Sequence, residues 1–95
     1  MIDMVFPSNF YVAAVEDNRI GATHISMYMA LLYLHNQNGL ANPVSITRGT
    51  VMELAKISGL ATYHKCMREL HQYGYINYIP SYNPAISSQV CLLKI

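Results

Sequence analysis

The sequence predicts a mostly helical α+β domain, and three observations after Pro43 support this class. Two short helical patterns are separated by a turn that contains Gly59. The second helical pattern has its apolar and its cationic residues on opposite sides. Two strand-like segments, joined by a proline-containing loop, then follow. This order is typical of a winged helix-turn-helix, with the helix-turn-helix at about 47–74 and a C-terminal β-hairpin wing at about 75–95.

Length and composition indicate one folded domain over residues 1–95. Apolar residues make up 53% of the chain and charged residues 12%, so intrinsic disorder is not expected. The longest apolar segment, 25–34, is too short to cross a bilayer. The N-terminus lacks the basic and apolar regions of a signal peptide, so we expect a cytoplasmic protein. Cys66 and Cys91 are expected to be reduced thiols.

The N-terminal half is predicted to form two helices. A short helix is expected over 9–16, and a turn follows that ends near Gly21. Thr23 is the predicted N-cap of a longer helix that reaches about Asn36. Apolar residues cover most of its circumference, so it lies at the centre of the core or is shared with a partner. In a domain this small the second alternative has real weight, and we predict a homodimer through this helix, residues 23–36.

A short strand at 44–46 precedes the next predicted helix. Thr47 is the N-cap expected for that helix, which has about ten residues. Its inner side is expected to hold apolar residues at helical spacing, namely Val51, Leu54 and Ala55. Ser58 and Gly59 should end it, because glycine readily adopts the positive φ angle that a tight turn often needs.

The last helix and the hairpin complete the predicted domain. The helix is expected from Leu60 to Tyr73, with Gly74 as the residue that follows its C-cap. Tyr and Ile residues over 75–79 predict one strand, and residues 89–95 predict the returning strand. The prolines and the asparagine between them predict a loop.

The last helix carries the candidate functional surface on its polar side. Its core side is predicted from apolar residues at helical spacing, namely Tyr63, Met67 and Leu70. Lys65 and Arg68 lie on the opposite side and are able to reach phosphates or guanine edges in DNA. Small or polar residues near its start would allow close approach to a groove, and these are Ala61, Thr62 and His64. The same pattern also fits an ordinary amphipathic helix with a solvated outer face.

Further contacts to DNA are predicted on both sides of this helix. Arg48 and Lys56, on the preceding helix, are candidates for phosphate contacts beside the groove. Tyr82 and Asn83, at the tip of the wing, are candidates for contacts with the sugar-phosphate backbone. The alternative for the tip is a simple polar turn.

Charge is divided unevenly along the chain, whose net charge is +1. Residues 1–44 contain one arginine against three acidic residues, which gives −2. Residues 45–95 contain five lysines and arginines against two glutamates, which gives +3. The positive half is also the half with the predicted helix-turn-helix, which favours a polyanionic partner.

Most of the chain resembles a known family. The segments THISMYMALLYLHN, NPVSITRGTVMELAKISGLATYHKCMRELHQYGYINYIPSYNP and SSQVCLLKI are similar to small winged-helix proteins carried on bacterial mobile elements. The similarity begins at about Phe6 and is most specific over 61–75. The resemblance implies a winged-helix domain that binds DNA as a transcriptional regulator or an element-maintenance factor.

Residue patterns for catalysis, metal binding or a cofactor were not found in the sequence. His64 and His71 are seven residues apart, about two helical turns, which is too far for an ordinary chelating pair. A Gly-rich phosphate loop, a nucleophile elbow and paired catalytic carboxylates are also missing. We therefore predict a non-enzymatic protein that binds specific sequences of double-stranded DNA with its last helix in the major groove. The alternative is a protein-interaction winged helix, a replication or transfer accessory factor that docks through its long helix.

Overall fold

The computed structural model describes residues 8–83 and 86–93. They form four helices and three strands in the order α1 (Ser8–Val15), α2 (Ala22–Gln37), β1 (Val44–Ile46), α3 (Arg48–Ala55), α4 (Leu60–Gln72), β2 (Ile76–Ile79) and β3 (Ser88–Leu92). The strands make one antiparallel sheet in the order β1-β3-β2. This confirms the predicted mostly helical α+β class, the short strand at 44–46 and the C-terminal hairpin.

β3 lies at the centre of the sheet and connects its two halves. Val90 of β3 is opposite Val44 of β1 on one side and opposite Tyr78 of β2 on the other. The Asn42 side chain closes the end of the sheet, because it donates to the Leu92 carbonyl at 3.2 Å and accepts from the Leu92 N–H at 2.9 Å. The segment that leads into α3 is thereby fixed to the sheet.

α2 forms the centre of the core. Its buried side chains are Met27, Tyr28, Ala30, Leu31, Leu32 and His35. Phe10 of α1 stacks on Tyr28 with 3.9 Å between ring centroids. The first of the two predicted alternatives, a helix central to the core, therefore accounts for most of the apolar stripe. The homodimer stays a prediction, and the large apolar side chain that α2 leaves for it is Tyr33, 51% exposed.

The start of α2 differs from the prediction. Gly21, and not Thr23, is the N-cap residue. The Gly21 N–H donates to Nδ1 of His24 at 3.0 Å, so a side chain of the first turn binds back to the cap. The prediction was wrong because it relied on the hydroxyl of Thr23 and did not consider a histidine as a capping acceptor.

The end of α3 also differs from the prediction. Thr47 is the N-cap as expected, and its side chain accepts from the Thr50 N–H at 3.4 Å. The helix ends at Ala55 with Lys56 as its C-cap, whose φ is 61°, whereas Gly59 has a φ of −89° and is the N-cap of α4. Leu54, predicted on the inner side, is 39% exposed, whereas Val51 and Ala55 are buried as predicted, and α3 packs on α2.

The C-terminal elements lie close to their predicted positions. Gly74 follows α4 with a φ of 84°, which confirms its role after the C-cap. β2 begins at Ile76, because the N–H of Tyr75 donates to the Leu70 carbonyl of α4. β3 begins one residue earlier than expected and ends at Leu92, and the predicted strand residues 94–95 lie outside the described part of the chain.

Candidate functional site

α4 is fixed to the core by its inner side. Tyr63, Met67 and Leu70 are buried as predicted, and Cys66 is buried with them, none more than 3% exposed. The Cys66 thiol donates to the Thr23 carbonyl at 3.5 Å, which attaches α4 to the start of α2. Burial raises the pKa of the Cys66 thiol and of the Tyr63 phenol to about 12. The orientation of the helix, and hence of its outer side, is set by these contacts.

The outer side of α4 faces solvent. All five of its predicted site residues are exposed, and these are Ala61, Thr62, His64, Lys65 and Arg68. Within residues 8–83 and 86–93, neither Lys65 nor Arg68 forms an ion pair. Two cations of one helix face are therefore available to an external anion.

A groove separates α4 from the segment that follows β2. It is lined by His64, Met67, Arg68, His71, Tyr78, Pro80, Ser81 and Tyr82, and none of these residues is acidic. The Tyr78 N–H donates to Nδ1 of His71 at 3.0 Å, which links the end of α4 to β2. Because Nδ1 accepts, the ring proton of a neutral His71 lies on Nε2. The groove therefore combines a guanidinium, two imidazoles and two phenol rings.

Of the two predicted tip residues, Tyr82 lines the hairpin side of this groove and Asn83 does not. Tyr82 is 94% exposed, and Asn83 is exposed beside it. Ser81 holds the backbone here, since its hydroxyl donates to the Asn83 carbonyl at 3.1 Å and accepts from the Asn83 N–H at 3.3 Å. Residues 84–85 of the connection lie outside the described residues. The structure thus places Arg68 and Tyr82 at one groove.

Arg48 and Lys56 occupy the two ends of α3. Arg48 is its first residue and lies beside the start of β3, whereas Lys56 is its C-cap. Both side chains are exposed, but neither lines the groove between α4 and the hairpin. The structure therefore does not bring these two cations together with Arg68 in one groove.

A polar contact between α2 and α4 was not predicted from the sequence. Nε2 of His24 lies 2.9 Å from Oε1 of Glu69, and the Tyr73 hydroxyl donates to the other carboxylate oxygen at 3.4 Å. The hydrogen bond from His24 is the main reason why the pKa of Glu69 lies below its ordinary value. His24 and Glu69 are 45 residues apart, so their pairing has no signal in local sequence patterns.

Asp17 takes part in a second unpredicted contact. Asp17 binds Arg19 at 2.8 Å and accepts from the Tyr75 hydroxyl at 3.0 Å. The Arg19 guanidinium lies 4.2 Å from the centre of the Tyr73 ring. The hydrogen bond from the Arg19 side chain holds the pKa of Asp17 well below its usual range. Arg19 is therefore exposed but paired with Asp17, unlike the cations of α4.

A metal site and a membrane span are both missing from the described residues. No three His, Cys, Asp or Glu side chains among them lie close enough to share a metal ion. The helices in this part of the chain lack the combination of length and apolarity that a bilayer span requires. Comparison with protein-family models, with curated proteins and with solved structures gives no match.

Proposed function

We propose that the chain is a winged helix-turn-helix domain that binds double-stranded DNA with α4 in the major groove. In this proposal α3, residues 56–59 and α4 form the helix-turn-helix, and β2 and β3 form the wing. The order of helices and strands and the position of β3 between β1 and β2 support it.

The observation that carries the proposal is the outer side of α4. Lys65 and Arg68 are exposed and have no ion-pair partner in the described part of the chain, while the opposite side of the helix is buried. An α-helix with side chains is about 10–12 Å wide, which matches a major groove of about 12 Å. Ala61 and Thr62 are small, so the first turn is able to approach the base edges closely.

The two cations have different roles in this proposal. Arg68 presents a planar guanidinium that suits a bidentate contact with guanine, and such a contact contributes roughly 1–3 kcal/mol of discrimination. Lys65 contacts a phosphate and adds affinity through the release of counterions. His64, on the same exposed side of α4, donates to the sugar-phosphate backbone of the DNA or to a base edge.

The remaining predicted residues flank α4. Arg48 and Lys56 contact phosphates on either side of the DNA major groove. Asn83, in the wing, donates to another DNA phosphate. Tyr82 lies along the sugar-phosphate backbone. The chain has no charged residue between Glu69 and Lys94, so we expect little salt dependence from the wing. The resulting function is transcriptional regulation or maintenance of a mobile element.

Titration of DNA with single-residue variants tests the proposal. Fluorescence anisotropy would follow binding of a short random-sequence duplex at two salt concentrations to wild type, Lys65→Ala and Arg68→Ala. We expect each variant to bind roughly tenfold more weakly, with the slope of log K against log salt reduced by about 1 for Lys65→Ala.

A matched control removes a cation that lies outside the proposed interface. Arg19→Gln changes the net charge by the same amount as Lys65→Ala, and we expect it to bind DNA like the wild type. Wild-type affinity and salt slope in both α4 variants would contradict the proposal. Equal losses in all three variants would indicate a general effect of net charge instead of a defined interface.

The second candidate function is a protein-interaction domain. α2 is not suited to be its docking surface, because most of its apolar side chains are either buried or partly buried against the core. α1 fits better, since it has no charged residue and exposes Tyr11, Val12 and Val15. Sedimentation with and without duplex DNA separates the two functions, because a DNA-dependent shift supports only the first.

A further inference from the structure

Lys65 has a potential partner on its own helix. Glu69 follows it by four residues, a spacing at which oppositely charged side chains meet on a helix surface. The Glu69 carboxylate is instead bound by His24 of α2 and by the Tyr73 hydroxyl. His24 is only 14% exposed, so the carboxylate is held at the junction of α2 and α4. Lys65 lies beside the same junction, where its charge contributes to the lowered pKa of Glu69, but it forms no ion pair with any residue that the structure describes.

The geometry also defines how His24 holds this carboxylate. The Gly21 N–H donates to Nδ1 of His24, and a backbone N–H is only ever a donor. Nδ1 therefore carries the lone pair, and the ring proton lies on Nε2, which faces Glu69 at 2.9 Å. A neutral His24 is thus sufficient to donate to Glu69. The start of α2 fixes the direction of the ring.

We propose that His24 is a positioning residue that holds the Glu69 carboxylate away from Lys65 and so keeps the Lys65 ammonium free for a DNA phosphate. This inference rests on the proposed DNA binding. A released carboxylate would pair with Lys65 across one helical turn, and it would also repel the phosphates. The hydrogen bond from His24 keeps the pKa of Glu69 below its ordinary value, so the group to be held is a carboxylate at neutral pH.

The test compares four proteins for binding to the random-sequence duplex at two salt concentrations. They are wild type, His24→Ala, Glu69→Gln and the double variant. We expect His24→Ala to weaken binding roughly 3- to 10-fold and to reduce the salt slope by about 1, the effect of one lost phosphate contact. The double variant should recover both values, because the side chain released by the loss of His24 is then uncharged. Glu69→Gln alone should bind at least as tightly as the wild type.

This recovery distinguishes positioning from a purely structural role. His24 also supports the start of α2, so its loss is expected to lower stability, and thermal melts would identify the temperature range in which all four proteins are folded. The Glu69→Gln change does not rebuild the bond to residue 24, so a structural defect would persist in the double variant. In a Lys65→Met background, His24→Ala should have no further effect on DNA affinity. An unchanged affinity in His24→Ala, or a loss that Glu69→Gln does not recover, overturns the proposal.

A measurement without DNA separates this inference from the proposed function. The response of the Lys65 ammonium to Glu69→Gln, followed by NMR titration, should be larger in the His24→Ala background than in the wild type. If wild type binds no duplex, the proposed function fails, and the NMR comparison alone decides whether His24 keeps Glu69 away from Lys65. An equal response in both backgrounds contradicts the positioning role.

Discussion

α2 and α4 are in contact, but they differ in how they use their surfaces. α2 is apolar around most of its circumference and buries side chains on several sides. α4 restricts its buried side chains to one stripe and leaves the opposite side to solvent. The difference shows why only one of the two helices has a surface suited to a polar ligand. A helix central to the core has few exposed positions left for recognition.

The two helices are joined by both apolar and polar contacts. Cys66 and its apolar neighbours pack α4 against the core, while the Glu69 carboxylate accepts from His24 at the edge of this interface. The polar contact directs an acidic side chain of α4 towards α2. The proposed DNA-binding surface of α4 therefore adjoins a contact with α2, although α2 contributes no residue to that surface.

The largest effect is expected from truncation of the α2 core. Leu31 is fully buried, so Leu31→Ala should lower the free energy of unfolding by about 2–5 kcal/mol through lost apolar contacts and the cavity left behind. Urea denaturation followed by circular dichroism measures this change. Arg68→Ala, on the exposed side of α4, is the matched control and should stay within about 0.5 kcal/mol of wild type. Similar losses in the two variants would contradict the contrast between the helices.

An intermediate effect is expected from the inner side of α4 at alkaline pH. The pKa of the Cys66 thiol is raised from 9.0 to about 12 by burial, so the folded state keeps the thiol neutral while the unfolded state ionises near its ordinary pKa. A raised pKa contributes stability below pH 9 that is lost as pH rises towards 12. Each pH unit in this range should lower the free energy of unfolding by at most about 1.4 kcal/mol for this group.

Denaturation under reducing conditions from neutral pH to the range just above pH 9 measures this slope. Tyr63 contributes in the same direction at higher pH, because burial also raises the pKa of its phenol to about 12, from 10.0. Cys66→Ala removes the thiol and should make the slope shallower. A slope identical to that of the wild type would show that Cys66 does not carry the effect.

The smallest effect is expected on the exposed side of α2. Tyr33→Lys should change the free energy of unfolding by no more than about 0.5 kcal/mol, because this side chain is half exposed. If α2 packs only within its own domain and contacts no second copy of the chain, the sedimentation coefficient of the variant should equal that of the wild type. A wild-type dimer that Tyr33→Lys converts to a monomer would instead support the predicted homodimer through α2.

Much of the fold could be predicted because local patterns were strong. The period of α4, with Tyr63 and Met67 on one side and Lys65 on the other, predicted which side faces the core. The end of α3 could not be predicted, because a residue other than glycine takes the left-handed position there. Ile57 is buried and its N–H donates to the Met52 carbonyl, which holds Lys56 in a left-handed conformation where a glycine was expected.

By itself, the sequence determined the order of helices and strands, the amphipathic character of α4 and the excess of positive charge in the C-terminal half. These properties follow from residue types at short spacing, where backbone geometry dictates which side chains share a side. Tertiary structure alone decided that the apolar side chains of α2 face the core and that the Glu69 carboxylate binds His24 instead of pairing with Lys65. Both outcomes depend on packing between residues far apart in the chain, and local periodicity carries no information about such distances.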